Sequence, residues 1–238
     1  MRQDGKPTEL GENLTAYFRH RATVLYDVAR PHLMDVAKAK AMFDKLRGKL
    51  KSQCPVPLNK QKGDKRTPAY FTGIINMLIE ANGAGLPCNY SPMELTAVTV
   101  DGAPLRTLAR RVDGAFPSTV NPIAIWEIKE YYHTTTFGSR IADGVYESLL
   151  DGMELEELRE HERIDVKHYL MVDAYNTWWN MGRPFLCRIV DMLHMNYVDE
   201  VLFGSEVSER LPTIVREWVQ HAKERPEYRK KKSKGPKS

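Results

Sequence analysis

The stretch "RVDGAFPSTVNPIAIWEIKEYY", residues 111–132, decides how the chain is read. Its second half is a short apolar strand, yet Glu127 and Lys129 interrupt it two residues apart. Interior strands seldom carry charge without a use for it. On a strand the side chains at i and i+2 share a face, so Glu127 and Lys129 point together while Trp126 and Ile128 point to the opposite layer. The breaks between Pro117 and Pro122 predict a hairpin that joins this strand to the one ending near Asp113. Paired in that way, Asp113 and Glu127 meet at one end of a sheet. Two carboxylates so placed repel unless a cation lies between them, and hard oxygen donors suit Mg²⁺ or Mn²⁺. A lysine beside them can orient or deprotonate a metal-bound water and stabilise charge building on phosphorus. The alternative is an amphipathic strand pair whose charges face water and contribute little. The apolar flanks Ile123, Ile125 and Ile128 weigh against it.

Outward from this stretch, the chain alternates between helical and extended periods. Residues 12–50 read as two helices, the second begun by Pro31, and residues 52–67 as a basic linker. "TPAYFTGIINMLIEANGAG" predicts a helix capped by Thr67 and stopped by Gly83, with Thr72, Asn76 and Glu80 as a polar stripe. Residues 94–102, 107–116 and 124–132 predict three strands in an antiparallel meander. A long helix from Ser139 to about Glu160 follows, its buried stripe read as Ile141, Val145, Leu149 and Met153. Then come a strand over 166–175, a helix over 185–196, a strand over 197–204 and a closing helix. The fold class is α/β or α+β, with a central mixed sheet flanked by helices. The division expected is an N-terminal helical extension with its linker (1–66), a main domain (67–228) and a disordered basic tail (229–238).

With Asp113 in "RVDG", then Glu127 and Lys129 in "WEIK", the chain resembles the PD-(D/E)xK nuclease superfamily, the restriction-endonuclease-like fold. The order of helix, three strands, helix and strand between residues 67 and 175 resembles its core as well. Valine precedes Asp113 where the family pattern has proline. The resemblance implies a Mg²⁺-dependent endonuclease for DNA, Mn²⁺ substituting, in the setting of restriction or phage defence. It implies Asp113 and Glu127 as metal ligands, Lys129 as the catalytic lysine, and Glu80 as a further acid supplied by the first core helix. Double-strand cutting with one site per chain would favour a two-fold dimer. An idle nucleic-acid-binding or assembly subunit on the same fold, and an RNA-directed nuclease, remain open as alternatives.

Other features bear on partners. The formal charge is +4, but the tail "RKKKSKGPKS" contributes +6, so all that precedes it sums to −2. Residues 45–66 hold eight Lys or Arg against Asp64 alone. Such blocks favour a polyanion through counterion release, or else serve as solubilising tail and linker. Lys230, Lys231 and Lys232, with Tyr131, His133 and Arg140 near the strand end, are the candidate nucleic-acid contacts. Tyr131 and His133 also read as an ordinary strand-end aromatic and a surface histidine. Asp143, Glu147 and Asp151 read as a solvated acidic face, and the paired tryptophans of "NTWWN" (176–180) as core anchors or a base-stacking surface. The 42% hydrophobic and 28% charged composition is that of a globular protein. No apolar run is long enough to span a bilayer and the N-terminus is polar, so a cytoplasmic protein without membrane partners is expected. Three scattered cysteines argue against a disulfide framework or a cysteine-built zinc site. No small-molecule organic cofactor is expected.

Overall fold

Apolar and β-branched residues fill both faces of two neighbouring strands, and this sets the centre of the molecule. A computed structural model describes residues 2–3, 5–59 and 67–225. Strands β6 (Ala124–Glu130) and β7 (Lys167–Asp173) run parallel, with Glu127 opposite Leu170 and Lys129 opposite Val172. β5 (Gly114–Phe116) pairs antiparallel to β6, and β8 (Glu200–Phe203) parallel to β7, giving a mixed four-stranded sheet in the order β5-β6-β7-β8. The two parallel steps need crossovers, which helices α5 (Ser139–Glu162) and α6 (Arg183–His194) supply. Before α6, a π-helical turn at Asn176–Met181 buries Trp178 and Trp179, which are therefore core anchors and not a stacking surface.

The two faces of the sheet carry different cores. Trp126 lies on the face covered by α4 (Tyr70–Asn82) and α7 (Val207–Glu224), its ring stacked on Trp218 at 5.6 Å and 11°. Gly83 ends α4 as expected, but Ala69 rather than Thr67 occupies its N-cap. The opposite face lies under α5, and Glu127 and Lys129 point there.

The predicted meander is corrected. Asp101 and Gly102, with φ of 51° and 83°, make a two-residue turn that folds β3 (Ala97–Val100) directly onto β4 (Ala103–Thr107). That hairpin forms a sheet of its own, tied to the β5–β6 connection by backbone bonds between Ala97 and both Thr119 and Asn121. The predicted strand over 107–116 breaks at Leu108–Asp113, and only its last three residues join the main sheet.

The N-terminal residues pack into the same body instead of standing apart as an extension. Two short strands, β1 (Arg2–Gln3) and β2 (Lys6–Pro7), precede α1 (Glu9–Thr23). A π-helical segment at Val24–Ala29 and the short α2 (Arg30–His32) then lead to α3 (Val36–Leu50), which starts at the Asp35 cap and not at Pro31. Leu25, Ala29 and Leu33 join the core around Trp178, while Phe43 of α3 lies over Gly73 of α4. A β-carbon at Gly73 would approach the Phe43 ring to 2.5 Å, so glycine there permits the close helix pair. Asp173, at the end of β7, accepts the backbone N–H of Met34 at 2.7 Å.

The buried stripe of α5 also differs from its prediction. Ile141, Gly144, Val145, Ser148, Asp151, Gly152, Leu155 and Leu158 face the sheet, whereas Met153 is half exposed. Steps of strictly four residues advance by about 40° around a helix of 3.6 residues per turn, so the predicted row drifts off the buried face. The true stripe alternates three and four, and it carries Asp151 inward. No helix among the described residues is long and apolar enough to cross a membrane.

Candidate active site

The β5–β6 pairing fixes two of the three residues singled out by sequence. Asp113 immediately precedes β5, opposite the middle of β6. Its backbone N–H donates to the Trp126 carbonyl and to Glu127 Oε1, each at 3.2 Å. Its Oδ2 accepts the Ile128 N–H at 2.8 Å. The acid is thus locked at the strand junction while remaining exposed. Glu127 is wholly buried and Lys129 nearly so, with the ammonium 2.7 Å from Glu127 Oε2. The structure therefore brings Asp113, Glu127 and Lys129 together. Trp178 supports the strand from behind, donating from Nε1 to the Lys129 carbonyl at 3.3 Å.

α5 supplies the roof. At Gly144 a β-carbon would stand in ordinary contact, 3.6 Å, with Lys129 Cδ and Cε and would crowd the Tyr131 hydroxyl at 3.0 Å, so the helix lies directly on the lysine stem. One to two turns further, Glu147 and Asp151 face the same site.

Arg110 completes the cluster and was not singled out from the sequence. Its guanidinium contacts Glu127 Oε1 and Oε2 at 3.1 Å, Glu147 Oε2 at 3.3 Å, and Asp151 Oδ2. Three carboxylates thus share two cations. Asp151 is fully buried, correcting the solvated acidic face expected for it, and its Oδ1 has no hydrogen-bond partner. The available signals were the arginine pair beside Asp113 and the three-four phase of α5.

The electrostatics follow from burial and pairing. Burial opposes ionisation of Glu127, but Lys129 and Arg110 outweigh it and hold the carboxyl below the usual range. Burial likewise disfavours the Lys129 ammonium, yet Glu127 and then Asp113 raise its pKa above the ordinary lysine value. Burial, reinforced by the Glu127 charge, pushes Asp151 up to about 7 against the pull of Arg110. Lys129 is therefore a stable ammonium at neutral pH, and Asp151 is the carboxyl of the cluster that most readily holds a proton.

The remaining predicted residues lie elsewhere. Glu80 sits on α4, whose first turn is tied to the other face of β6 by Thr72, which donates from N and Oγ1 to Glu130 at 2.9 Å. The Glu80 carboxylate accepts Ser52 Oγ and the Gln53 N–H, in the segment after α3. This corrects its assignment to the Asp113–Glu127 site, because the helix presents its stripe to the opposite side of the sheet. Tyr131 packs its ring against Trp178 at 5.7 Å, and His133 is half-buried in the connection to α5. Arg140 lies in the first turn of α5; Lys230, Lys231 and Lys232 lie outside the described residues.

The donor chemistry fits a hard divalent cation. Asp113 and Glu127 offer carboxylate oxygens, acids outnumber bases, and a buried Asp151 oxygen lacks a partner. Among the described residues no group of three or more His, Cys, Asp or Glu side chains is arranged to hold a metal ion. The Arg110 guanidinium stands among the carboxylates instead.

Comparison with curated proteins and with solved structures gave no match. A family model does match, over residues 34–218, which includes every residue of the cluster. The chain belongs to that family, described as a domain of unknown function, DUF7687.

Proposed function

We propose that the chain is a Mg²⁺-dependent endonuclease that hydrolyses DNA phosphodiester bonds, built on a restriction-endonuclease-like core. The observation that carries this reading is the 2.7 Å pairing of Lys129 with Glu127, beside an Asp113 fixed to the Ile128 N–H. The core elements support it in part: α4, the antiparallel β5–β6 pair, α5 and the parallel strand β7 follow in the implied order, while the β3–β4 hairpin stands apart where the resemblance implies a third strand of the meander.

In this reading Asp113 and Glu127 hold the cation. Bound there, Mg²⁺ supplies Lewis acidity that makes water a better nucleophile and polarises the phosphoryl group. Lys129, kept as an ammonium by Glu127, stabilises the charge that accumulates on the phosphoryl oxygens. Its raised pKa suits that electrostatic role better than the role of base. The exposed Asp113 gives the phosphate backbone an approach to the otherwise buried pair. Restriction or phage defence is the biological setting proposed, with a two-fold dimer for cutting both strands.

Plasmid DNA and an RNA of similar length, incubated side by side with Mg²⁺ or Mn²⁺, test the reading. The expected result is metal-dependent DNA cleavage, lost in Asp113→Ala, Glu127→Ala and Lys129→Ala while circular dichroism stays native. Full cleavage by a clean Lys129→Ala preparation would remove the lysine from the mechanism. A second reading, a catalytically idle DNA-binding subunit, is favoured by the Arg110 guanidinium seated on Glu127. It predicts salt-sensitive DNA binding without cleavage under any divalent ion.

A further inference from the structure

Arg110 lies where a cation is needed, and the groups around it say what else fits there. Its guanidinium bridges Glu127 at the centre of β6 and Asp151 on α5, so both carboxylates are turned toward one point. Both acids are fully buried, and at this depth neither is solvated by bulk water. Asp151 gives only Oδ2 to the arginine, leaving Oδ1 buried without a hydrogen bond. A bare buried carboxylate oxygen is costly, and native interiors rarely keep one without a reason. A guanidinium spreads its charge over a plane and reaches the two carboxylates through separate N–H groups. A small divalent ion concentrates twice the charge at one point and binds oxygen donors directly.

Arg110 stands at the open edge of the cluster. Its side chain is 23% exposed, and Glu147, at its outer edge, is 49% exposed. The residue sits in the irregular Leu108–Asp113 segment between β4 and β5, outside any strand ladder. Withdrawal would leave Arg110 paired with the exposed Glu147 while uncovering Glu127 and Asp151.

We propose that Asp151 is a divalent-cation ligand in partnership with Glu127, and that Arg110 is a tethered counter-ion which the cation displaces. The metal site then spans β6 and α5, and the acid expected from α4 is supplied by α5. The inference rests on the metal-dependent reading for its purpose, but metal binding itself is measured without reference to cleavage. Once displaced, the Arg110 guanidinium is available at the mouth of the site as a phosphate contact.

Mn²⁺ titration of the full chain, read by calorimetry and by the loss of free-ion paramagnetic resonance, tests this. Asp151→Asn is expected to weaken Mn²⁺ at least tenfold, because the amide keeps the shape but loses the charge. Arg110→Gln is expected to tighten it by a similar factor, since the competing cation is gone. Glu80→Gln is expected to leave it unchanged. Thermal melts establish that each variant is folded, and Arg110→Gln decides the matter if Asp151→Asn is not. Wild-type affinity in Asp151→Asn, or unchanged or weaker binding in Arg110→Gln, would overturn the proposal, as would a wild-type chain that takes no Mn²⁺. DNA cleavage with Asp151-independent Mn²⁺ binding would sink this inference and leave the nuclease reading standing. Asp151-dependent binding without cleavage of any nucleic acid would do the reverse.

Discussion

Gly144 and Lys129 face each other across the gap between α5 and β6, the position of a glycine β-carbon lying 3.6 Å from the lysine Cδ and Cε. Glycine in a helix interior costs about 1 kcal/mol relative to alanine. Its use here is spatial, since a β-carbon would crowd the Tyr131 hydroxyl at 3.0 Å and any longer side chain would meet the lysine stem.

Gly144→Ala is therefore predicted to be close to neutral in stability. The gain in helix propensity is offset by the 3.0 Å approach to the Tyr131 hydroxyl. Gly144→Leu is predicted to push Lys129 from Glu127 and abolish cleavage, with far-ultraviolet dichroism unchanged. Retained cleavage in the leucine variant would mean that the lysine does not need this space.

Glu127 and Lys129 are buried together, so removing Glu127 strands the lysine, and removing Lys129 leaves Glu127 with the Arg110 guanidinium alone. Glu127→Gln and Lys129→Met are each predicted to destabilise the fold by about 3 kcal/mol, and the double variant by clearly less than their sum. Urea unfolding of the four proteins gives the coupling. Strict additivity would show that the pair does not interact in the folded state.

Asp173 titrates in the opposite sense to Glu127. Burial pushes its carboxyl up to about 7, despite bonds from Tyr132 and from the Met34 and Ala174 N–H groups. The folded protein therefore binds this proton more tightly than the unfolded chain does. Its contribution to stability falls as pH rises from the ordinary aspartate range through about 7. Asp173→Asn, whose amide oxygen can still accept the N–H groups, is predicted to flatten the stability profile between about pH 4 and pH 7, the range over which the linkage acts. Thermal melts at both ends check it; an unchanged slope would show that Asp173 is already ionised throughout.

Gly114 holds β5 against the Trp126 ring. A β-carbon there would lie 2.1 Å from Trp126 Cε2 and Cζ2, and Trp126 is itself clamped by Trp218. Gly114→Ala is predicted to cost about 3 kcal/mol through overpacking and to disturb the neighbouring Asp113. Chemical denaturation measures the first effect, and Mn²⁺ affinity the second.

Much of this was legible in residues 111–132. The two-residue period placed Glu127 and Lys129 on one face and Trp126 on the other, because strand alternation is local geometry. The helix and strand order after residue 123 was legible for the same reason. What escaped was set by tertiary contact. The Asp101–Gly102 turn diverted one predicted strand into a separate hairpin, and the Leu108–Asp113 segment gained an arginine at the site that no strand pattern could place. Asp151 was misread because charge was taken as a sign of exposure, although its phase along α5 put it inward. Glu80 sits in a genuine polar stripe, but that stripe serves Ser52 and Gln53 through Glu80, and Glu130 through Thr72. Its direction around the helix is fixed only by which sheet face α4 covers.

The docking of the N-terminal helices has a consequence for synthesis. Met34 waits for Asp173, 139 residues later, and the Tyr17 and Arg21 side chains wait for Asp191. Until α6 has left the ribosome, α1 has no partner for its charged and aromatic flank. Non-local closures of this kind slow assembly and leave apolar surface open while they wait. A nascent chain halted before residue 173 therefore exposes Leu25, Ala29 and Leu33, and helices made before their docking partners are among the last elements to settle.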